Sequence, residues 1–237
     1  MYEEDCIRFV TKRKYRMSEF LQAINISKTV TTQAGSLTLL ENINVAFNKA
    51  SRNAIMGASG SGKTTLLGLL AGLDQPSNGK IIFQGEELTR LDEDQRARRR
   101  LGQVGFVFQS FQLLPQLTAL ENVMLPLEMA NAENIRQQAL DILDLVGMSH
   151  RVTHYPNQLS GGEQQRCALA RAYITKPCIL FADEPTGNLD QQTGLQIIEL
   201  LFKLNETEGT CLIMATHDSK LASRCENVIR LENGHIR

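Results

Sequence analysis

The stretch GASGSGKTT, Gly57 to Thr65, sets glycines, small side chains and one lysine directly after the apolar run AIM. Side chains this small let backbone N–H groups approach a ligand closely, and glycine tolerates the positive φ angles that a tight loop needs. A loop of exposed donors beside one cation calls for an anion. Upstream, RNAIM (52–56) reads as a short strand. Downstream, KTTLLGLLAGL (63–73) reads as a helix carrying Leu66, Leu67, Leu69 and Leu70, with Gly72 and Pro76 as stops. Gly57, Gly62, Lys63 and Thr64 therefore satisfy G-x-x-x-x-G-K-[ST] between a strand and a helix, the context that this phosphate-cradling pattern demands. The loop Gly57, Ala58, Ser59, Gly60, Ser61, Gly62, Lys63, Thr64, Thr65 is expected to wrap phosphates with its backbone and the helix N-terminus. Lys63 would reach the β- and γ-phosphates, and the Thr64 hydroxyl would ligate Mg²⁺.

The rest of the chain repeats the strand-to-helix alternation, so the fold class is α/β with parallel strands. FLQAINI (20–26) is strand-like. VGFVFQ (104–109), CILFA (178–182) and TCLIMAT (210–216) are short and apolar enough to be buried strands. LTALENVMLPLEMA (117–130) begins with Thr118 and Glu121 at capping-box spacing. IRQQALDILDLVG (135–147) places Ile135, Ala139, Ile142, Leu143 and Val146 on one helical face and stops at Gly147. SGGEQQRCALARAYITKP (160–177) and QTGLQIIELLFKLN (192–205) are further helices, and Asn233-Gly234 marks a closing hairpin.

Composition narrows the setting. The chain has 237 residues, 42% hydrophobic and 22% charged, with a formal net charge of −1 and a pI near 6.4, so neither sign gives a global attraction for nucleic acid or anionic lipid. Five scattered cysteines without a C-x-x-C pair suit a reducing cytosol. No apolar run approaches the ~20 residues of a membrane span, and the charged N-terminus lacks a secretory core. Residues 1–16 are expected to be a disordered extension ahead of an alternative start at Met17, leaving 17–237 as the folded unit. The basic run RARRR (96–100) follows LDEDQ and reads as a solvated helix face of mixed charge rather than a nucleic-acid patch.

Asp183 and Glu184 follow the apolar strand CILFA, which puts two carboxylates at the strand edge where α/β folds bind ligands. Asp183 suits Mg²⁺, directly or through water. Glu184 is placed to polarise an attacking water, the orienting group that phosphoryl transfer needs. A second anion site opens at LSGGEQQR (159–166), where Ser160, Gly161 and Gly162 begin a helix. One triphosphate needs one P-loop, so this second site suggests a meeting with another subunit's nucleotide. A monomeric switch or kinase leaves LSGGEQQR without a use.

With these residues in order, the chain strongly resembles the nucleotide-binding subunit of an ABC transporter, and the resemblance covers nearly its whole length. ALENVMLPL, LSGGEQQR and ADEPTGNLD are similar to the lipoprotein-release and macrolide-export subfamily, and GFVFQSF, LFADEPTGNLD and QTG to its YbbA-type subunits. The resemblance implies a RecA-like P-loop ATPase core with a β-rich N-terminal portion and a helical subdomain at about 111–170. It implies ATP with Mg²⁺, and a homodimer sandwiching two nucleotides. Gln109 resembles the glutamine that senses Mg²⁺ and water and borders the membrane partner, Asp190 the aspartate that crosses the dimer interface, and His217 the switch histidine at the γ-phosphate. The implied partner is an integral membrane permease of the four-helix type with a periplasmic domain, served from the cytoplasmic face of the bacterial inner membrane, with no nucleic acid involved. The rival reading, a soluble ABC-type ATPase of DNA repair or translation, usually has a coiled-coil insertion or two fused cassettes.

Two positions depart from the wider family. Glu163 stands where glutamine is frequent, and a carboxylate in a first helical turn suits the helix dipole. Val30 stands where an aromatic usually stacks on adenine, so recognition is expected to shift toward the triphosphate, with Tyr15 the nearest aromatic able to cover the base from the extension.

Overall fold

The computed structural model describes residues 20–32 and 35–237; the expected extension at 1–16, Met17 and Tyr15 lie outside the described residues. The chain opens with a long antiparallel hairpin, β1 (Leu21–Thr32) and β2 (Gly35–Phe47). β3 (Arg52–Met56) leads through the glycine-rich loop into α1 (Lys63–Leu70). Then come β4 (Asn78–Phe83), β5 (Glu86–Glu87), α2 (Glu93–Arg100), β6 (Val104–Val107), α3 (Ala119–Met129) and α4 (Ile135–Leu145). α5 (Gly161–Tyr173), β7 (Ile179–Asp183), α6 (Gln191–Glu208), β8 (Cys211–Thr216), α7 (Ser219–Ala222), β9 (Asn227–Glu232) and β10 (His235–Ile236) complete the chain.

Two sheets result. The larger has the order β10-β9-β3-β8-β7-β6, parallel except for the β9–β10 hairpin; the smaller, β2-β1-β4-β5, is antiparallel. β7 and β8 are buried at every position, which is why their sequences run continuously apolar instead of alternating. The apolar side of α1 lies between the sheets: Leu66, Leu67, Leu69 and Leu70 share one core with Leu21 and Ile26 of β1 and Ile55 and Ile213 of the parallel sheet. α5 and α6 cover the opposite face, where Leu169, Ile197 and Leu201 meet Leu180, Leu212 and Met214. A third cluster, including Val123, Leu127, Ala139, Leu143 and Cys167, joins α3, α4 and α5. α5 thus belongs to the helical layer and the sheet-facing core at once.

The helix ends match their sequence signals. Thr118 and Glu121 form a reciprocal capping box, and Gly147 follows α4 at φ +74°. α2 corrects one expectation: Arg96 is buried, donating to the Leu91 carbonyl and pairing with Glu93, while Arg99 pairs with Glu86 and Arg100 with Glu93. The run is of mixed charge as expected, yet three of its arginines are tied down and only Arg98 of the four is exposed. Because the central strands are parallel, the loops after β3, β6, β7 and β8 emerge at one edge of the sheet. Those loops carry the P-loop, Gln109, Glu184 and His217.

Candidate active site

The loop after β3 requires glycine at two positions for steric reasons. Gly62, the N-cap of α1, has φ +102°, and a Cβ there would press on the Leu40 side chain; a Cβ at Gly57 would run into the Leu231 carbonyl and the Ser61 hydroxyl. α1 has no side-chain cap and no acid in its first turn, so its first N–H groups remain free for an incoming anion. The Lys63 side chain is only 5% exposed. Its Nζ donates to the carbonyls of Gly57 (2.9 Å) and Ala58 (3.1 Å) and pairs with Glu184 Oε1 at 3.3 Å. The Ser61 Oγ is buried with no hydrogen-bond partner among the described residues. Gly57, Ala58 and Ser61 line, with His217 and the end of β9, a cleft of about 510 Å³.

Glu184 sits immediately beyond β7 at φ +42°, a left-handed conformation that costs a non-glycine residue on the order of 1–3 kcal/mol and persists only where the surroundings fix it. Its backbone N–H donates to the Ala215 carbonyl at 3.0 Å, and its own carbonyl accepts from Gly187 at 3.0 Å. The carboxylate gathers three side chains, one from the start of α1 and two from the ends of β6 and β8. Lys63 lies on Oε1, while Oε2 faces His217 Nδ1 at 3.5 Å and Gln109 Nε2 at 3.5 Å. Gln109, Lys63, Glu184 and His217 are therefore one cluster.

Asp183 lies beneath it, 5% exposed. Burial pushes its carboxyl above the usual carboxylate range and the Glu184 charge adds to this, while a hydrogen bond from Thr64 and the charge of Lys63 oppose it. One of its oxygens, Oδ1, is buried without a partner among the described residues. A desolvated carboxylate with an unmet acceptor, beside a threonine hydroxyl, is a donor pair for a hard cation, so Thr64 and Asp183 fit Mg²⁺. Among the described residues no three His, Cys, Asp or Glu side chains converge on a metal position, so such an ion would draw its other ligands from phosphate and water.

The remaining candidates stand apart. Ser160 is the N-cap of α5 and makes a capping box with Glu163; no hydrogen bond or ion pair joins Ser160, Gly161 or Gly162 to the P-loop among the described residues. Asp190 caps α6 through the N–H groups of Gln192 and Thr193, and its bonds with Thr193 hold its carboxyl below the ordinary range.

Three connecting side chains escaped the sequence reading. Gln165, buried in α5, donates to the Pro185 carbonyl at 2.8 Å and ties this helix, which opens with the signature stretch LSGGEQQR, to the loop after Glu184. Asn188 donates to the Gln109 carbonyl at 2.8 Å. Arg171 donates to the carbonyls of Phe111 (3.0 Å) and Gln112 (2.6 Å), two successive residues at φ +62° and +53°. A polar residue on the buried face of α5 was the only trace that Gln165 left in the sequence.

A P-loop at the edge of a parallel sheet, with carboxylates, an amide and an imidazole gathered from neighbouring strand ends, defines a P-loop ATPase. The chain belongs to the ABC transporter family: the family model described as "ABC transporter" matches residues 40–187. Within that family it is an ATP-binding, ATP-hydrolysing subunit of a transporter complex. It is 49% identical over 214 residues, 90% of this chain and 94% of the relative, to the uncharacterized ABC transporter ATP-binding protein YbbA of Escherichia coli K12. It is 46% identical over 223 residues, 92% of this chain and 98% of the relative, to the lipoprotein-releasing system ATP-binding protein LolD of Psychrobacter arcticus. The dimeric post-hydrolysis structure of the cassette MJ0796, bound to ADP and Pi, superposes with a TM-score of 0.87 at 39% identity, covering 92% of this chain and 96% of that one.

Proposed function

We propose that two copies of this chain close head to tail on two ATP molecules, each held between the P-loop of one copy and the Ser160–Gly162 turn of the other. The observation that carries this reading is the contrast between two adjacent glycines. A Cβ at Gly162 would press on the Thr193 side chain, so packing within the chain explains that glycine. A Cβ at Gly161 would meet its nearest atoms at 3.8 Å or beyond, ordinary contact distance, so packing within the chain does not account for that glycine and its bare backbone is free to face a ligand. A nucleotide carried by a second copy would use that bare backbone, and the MJ0796 cassette, dimeric and bound to ADP and Pi, supports the reading.

When a triphosphate enters, Lys63 exchanges the Gly57 and Ala58 carbonyls for phosphate oxygens, a stronger charge-assisted contact, and releases its hold on Glu184. Thr64 and Asp183 would hold Mg²⁺, whose charge would neutralise that of the phosphates. Glu184 then orients a water and accepts its proton, Gln109 brackets that water from the β6 side, and His217 donates to the γ-phosphate. Asp190 lies at the copy-to-copy interface.

The energy is passed to an integral membrane partner, of the four-helix type with a periplasmic domain. No helix among the described residues is long and apolar enough to cross a membrane. In keeping with the subfamily that its motifs resemble, the subunit acts peripherally, on the cytoplasmic face of the inner membrane. A cleft of about 430 Å³ next to the strained Phe111–Gln112 turn supports docking there: Phe108, Pro126 and Arg171 line it, together with the exposed Leu73, Leu101 and Met129. Purification in detergent tests this: co-purification of an integral membrane protein, lost on Met129→Glu, is expected, and recovery of nucleic acid in its place would favour the repair or translation alternative.

A further inference from the structure

Arg151 lies nine residues ahead of Ser160 and was singled out by no motif. Glu163 links the two. Its Oε2 accepts both the backbone N–H and the hydroxyl of Ser160 at 2.8 Å, and its own N–H donates back to Ser160 Oγ at 3.3 Å. Its Oε1 accepts from Arg151 Nε at 2.7 Å, with His150 Nε2 farther off at 3.9 Å. Arg151 Nη1 lies 3.1 Å from His154 Nε2. The hydroxyl has one proton, and here that proton points at a carboxylate. To serve a phosphate on the facing copy it must turn away from Glu163, and it must do so beside a full negative charge of the same sign as the ligand.

We propose that Arg151 is a positioning residue for the signature serine: by holding and neutralising Glu163 it frees the Ser160 hydroxyl to turn toward the partner copy's nucleotide and offsets the charge that would repel that nucleotide. This rests on the composite-site reading above. The Glu163 carboxyl is held down to about 2, first by the backbone N–H of Ser160 and then by Arg151 and the Ser160 hydroxyl, against an opposing effect of burial, so its charge is present at any working pH. Arg151 compensates that charge with a fixed planar donor, which a lysine matches in charge but not in shape. The turn bearing Arg151 is itself anchored to α3, whose first N–H groups donate to the carbonyls of His154 (2.8 Å, from Ala119) and Val152 (3.0 Å, from Leu120). Arg151 therefore sits between the helix that borders the docking cleft and the turn that meets the nucleotide.

The test is a double-mutant cycle on the full-length protein, with ATP turnover and nucleotide affinity measured separately. Arg151→Ala is expected to lower kcat by about tenfold, equivalent to ~1.4 kcal/mol, while the isolated subunit's affinity for ATP stays unchanged because its own P-loop is untouched. Glu163→Gln keeps the capping geometry and removes the charge, so adding it to Arg151→Ala should recover most of the lost turnover. Arg151→Lys should fall between the wild type and Arg151→Ala, and it carries the same cycle if the alanine variant does not fold. No loss in either Arg151 variant, or a loss that Glu163→Gln leaves in place, overturns the proposal and reduces Arg151 to loop packing. Ser160→Ala separates the two readings. If it leaves turnover intact, the composite site itself is wrong; if it abolishes turnover while the cycle shows no recovery, only the role of Arg151 falls.

Discussion

α1 and α5 both begin at glycine-rich turns that suit an anion, and they begin in opposite ways. α1 starts from Gly62 in a left-handed conformation with no side-chain cap, and its lysine, threonine and facing carboxylates all come from the same chain. α5 starts from Ser160 with a closed capping box, its hydroxyl already engaged by Glu163, and among the described residues no lysine or arginine bonds to Ser160, Gly161 or Gly162. On the head-to-tail reading proposed above, the uncapped end of α1, with its own charged groups around it, binds the nucleotide, and the capped end of α5, with one hydroxyl and bare glycine backbone, completes a site assembled on the other copy.

The largest expected effect falls on the first end. Glu184→Gln keeps the shape of the side chain but cannot accept a proton, and turnover should fall by about a thousandfold, within the range for loss of a general base. ATP binding should survive, and with Mg²⁺ and ATP the variant should elute as a dimer in size-exclusion chromatography. Turnover near the wild-type level would remove Glu184 from the mechanism and leave its left-handed strain without a use.

Separating the two ends is next in size. Lys63→Ala should weaken nucleotide binding by about 2–4 kcal/mol, since a buried phosphate charge loses its main cation. Gly161→Asp, with ordinary contact distances around its Cβ in the single chain, should bind nucleotide normally and fail to hydrolyse it. Mixing the two inactive proteins should restore part of the activity, because a mixed dimer keeps one intact pairing of P-loop and signature. Verified mixing with no recovery would break the distinction between a binding end and a completing end.

A smaller effect belongs to the cap of α5. Glu163 has its folded pKa depressed to about 2, so its contribution to stability is fully present above the ordinary value of 4.5 and is lost as pH falls toward 2. Denaturant titration of wild type and Glu163→Gln should show a deficit of about 2 kcal/mol in the mutant at pH 7 that closes near pH 2. A gap that persists at low pH would mean that the amide disturbs packing and not charge.

The first end was legible in the sequence because its chemistry is local: spacing alone places Gly57, Gly62, Lys63 and Thr64, and an apolar strand running into Asp183-Glu184 announces its own edge. The parallel strands were legible for the same reason, since burial on both faces leaves continuous apolar runs. The antiparallel sheet was less so, because register shifts between Ala23 and Thr29 interrupt the alternation of β1 against β2. Arg151, Gln165, Asn188 and Arg171 left almost no signal, as each acts on a backbone carbonyl or carboxylate that only the fold brings near. Three-dimensional contact was needed for those, while the roles of Gln109 and His217 came from the company they keep in the chain.

The smallest effect concerns the base, the part of the nucleotide that neither helix end touches. Val30 lies in β1 directly across from Leu37 of β2, which is 52% exposed, so this edge of the hairpin offers two aliphatic side chains where the wider family offers a ring. Aliphatic contact gives adenine and guanine nearly the same burial, whereas an aromatic stack is worth roughly 1 to 3 kcal/mol per base. Binding should therefore be governed by the triphosphate at α1, with little preference for ATP over GTP. Val30→Tyr, which suits a half-buried strand position, should tighten ATP by about 1 kcal/mol, at the low end of the stacking range. Titrating both nucleotides into wild type and mutant decides it. A strong preference for ATP in the wild type, with no gain from the tyrosine, would mean that another group already covers the base; Tyr15 would then be the first residue to replace, and the contrast between the two helix ends would have to be extended to a third point of nucleotide contact.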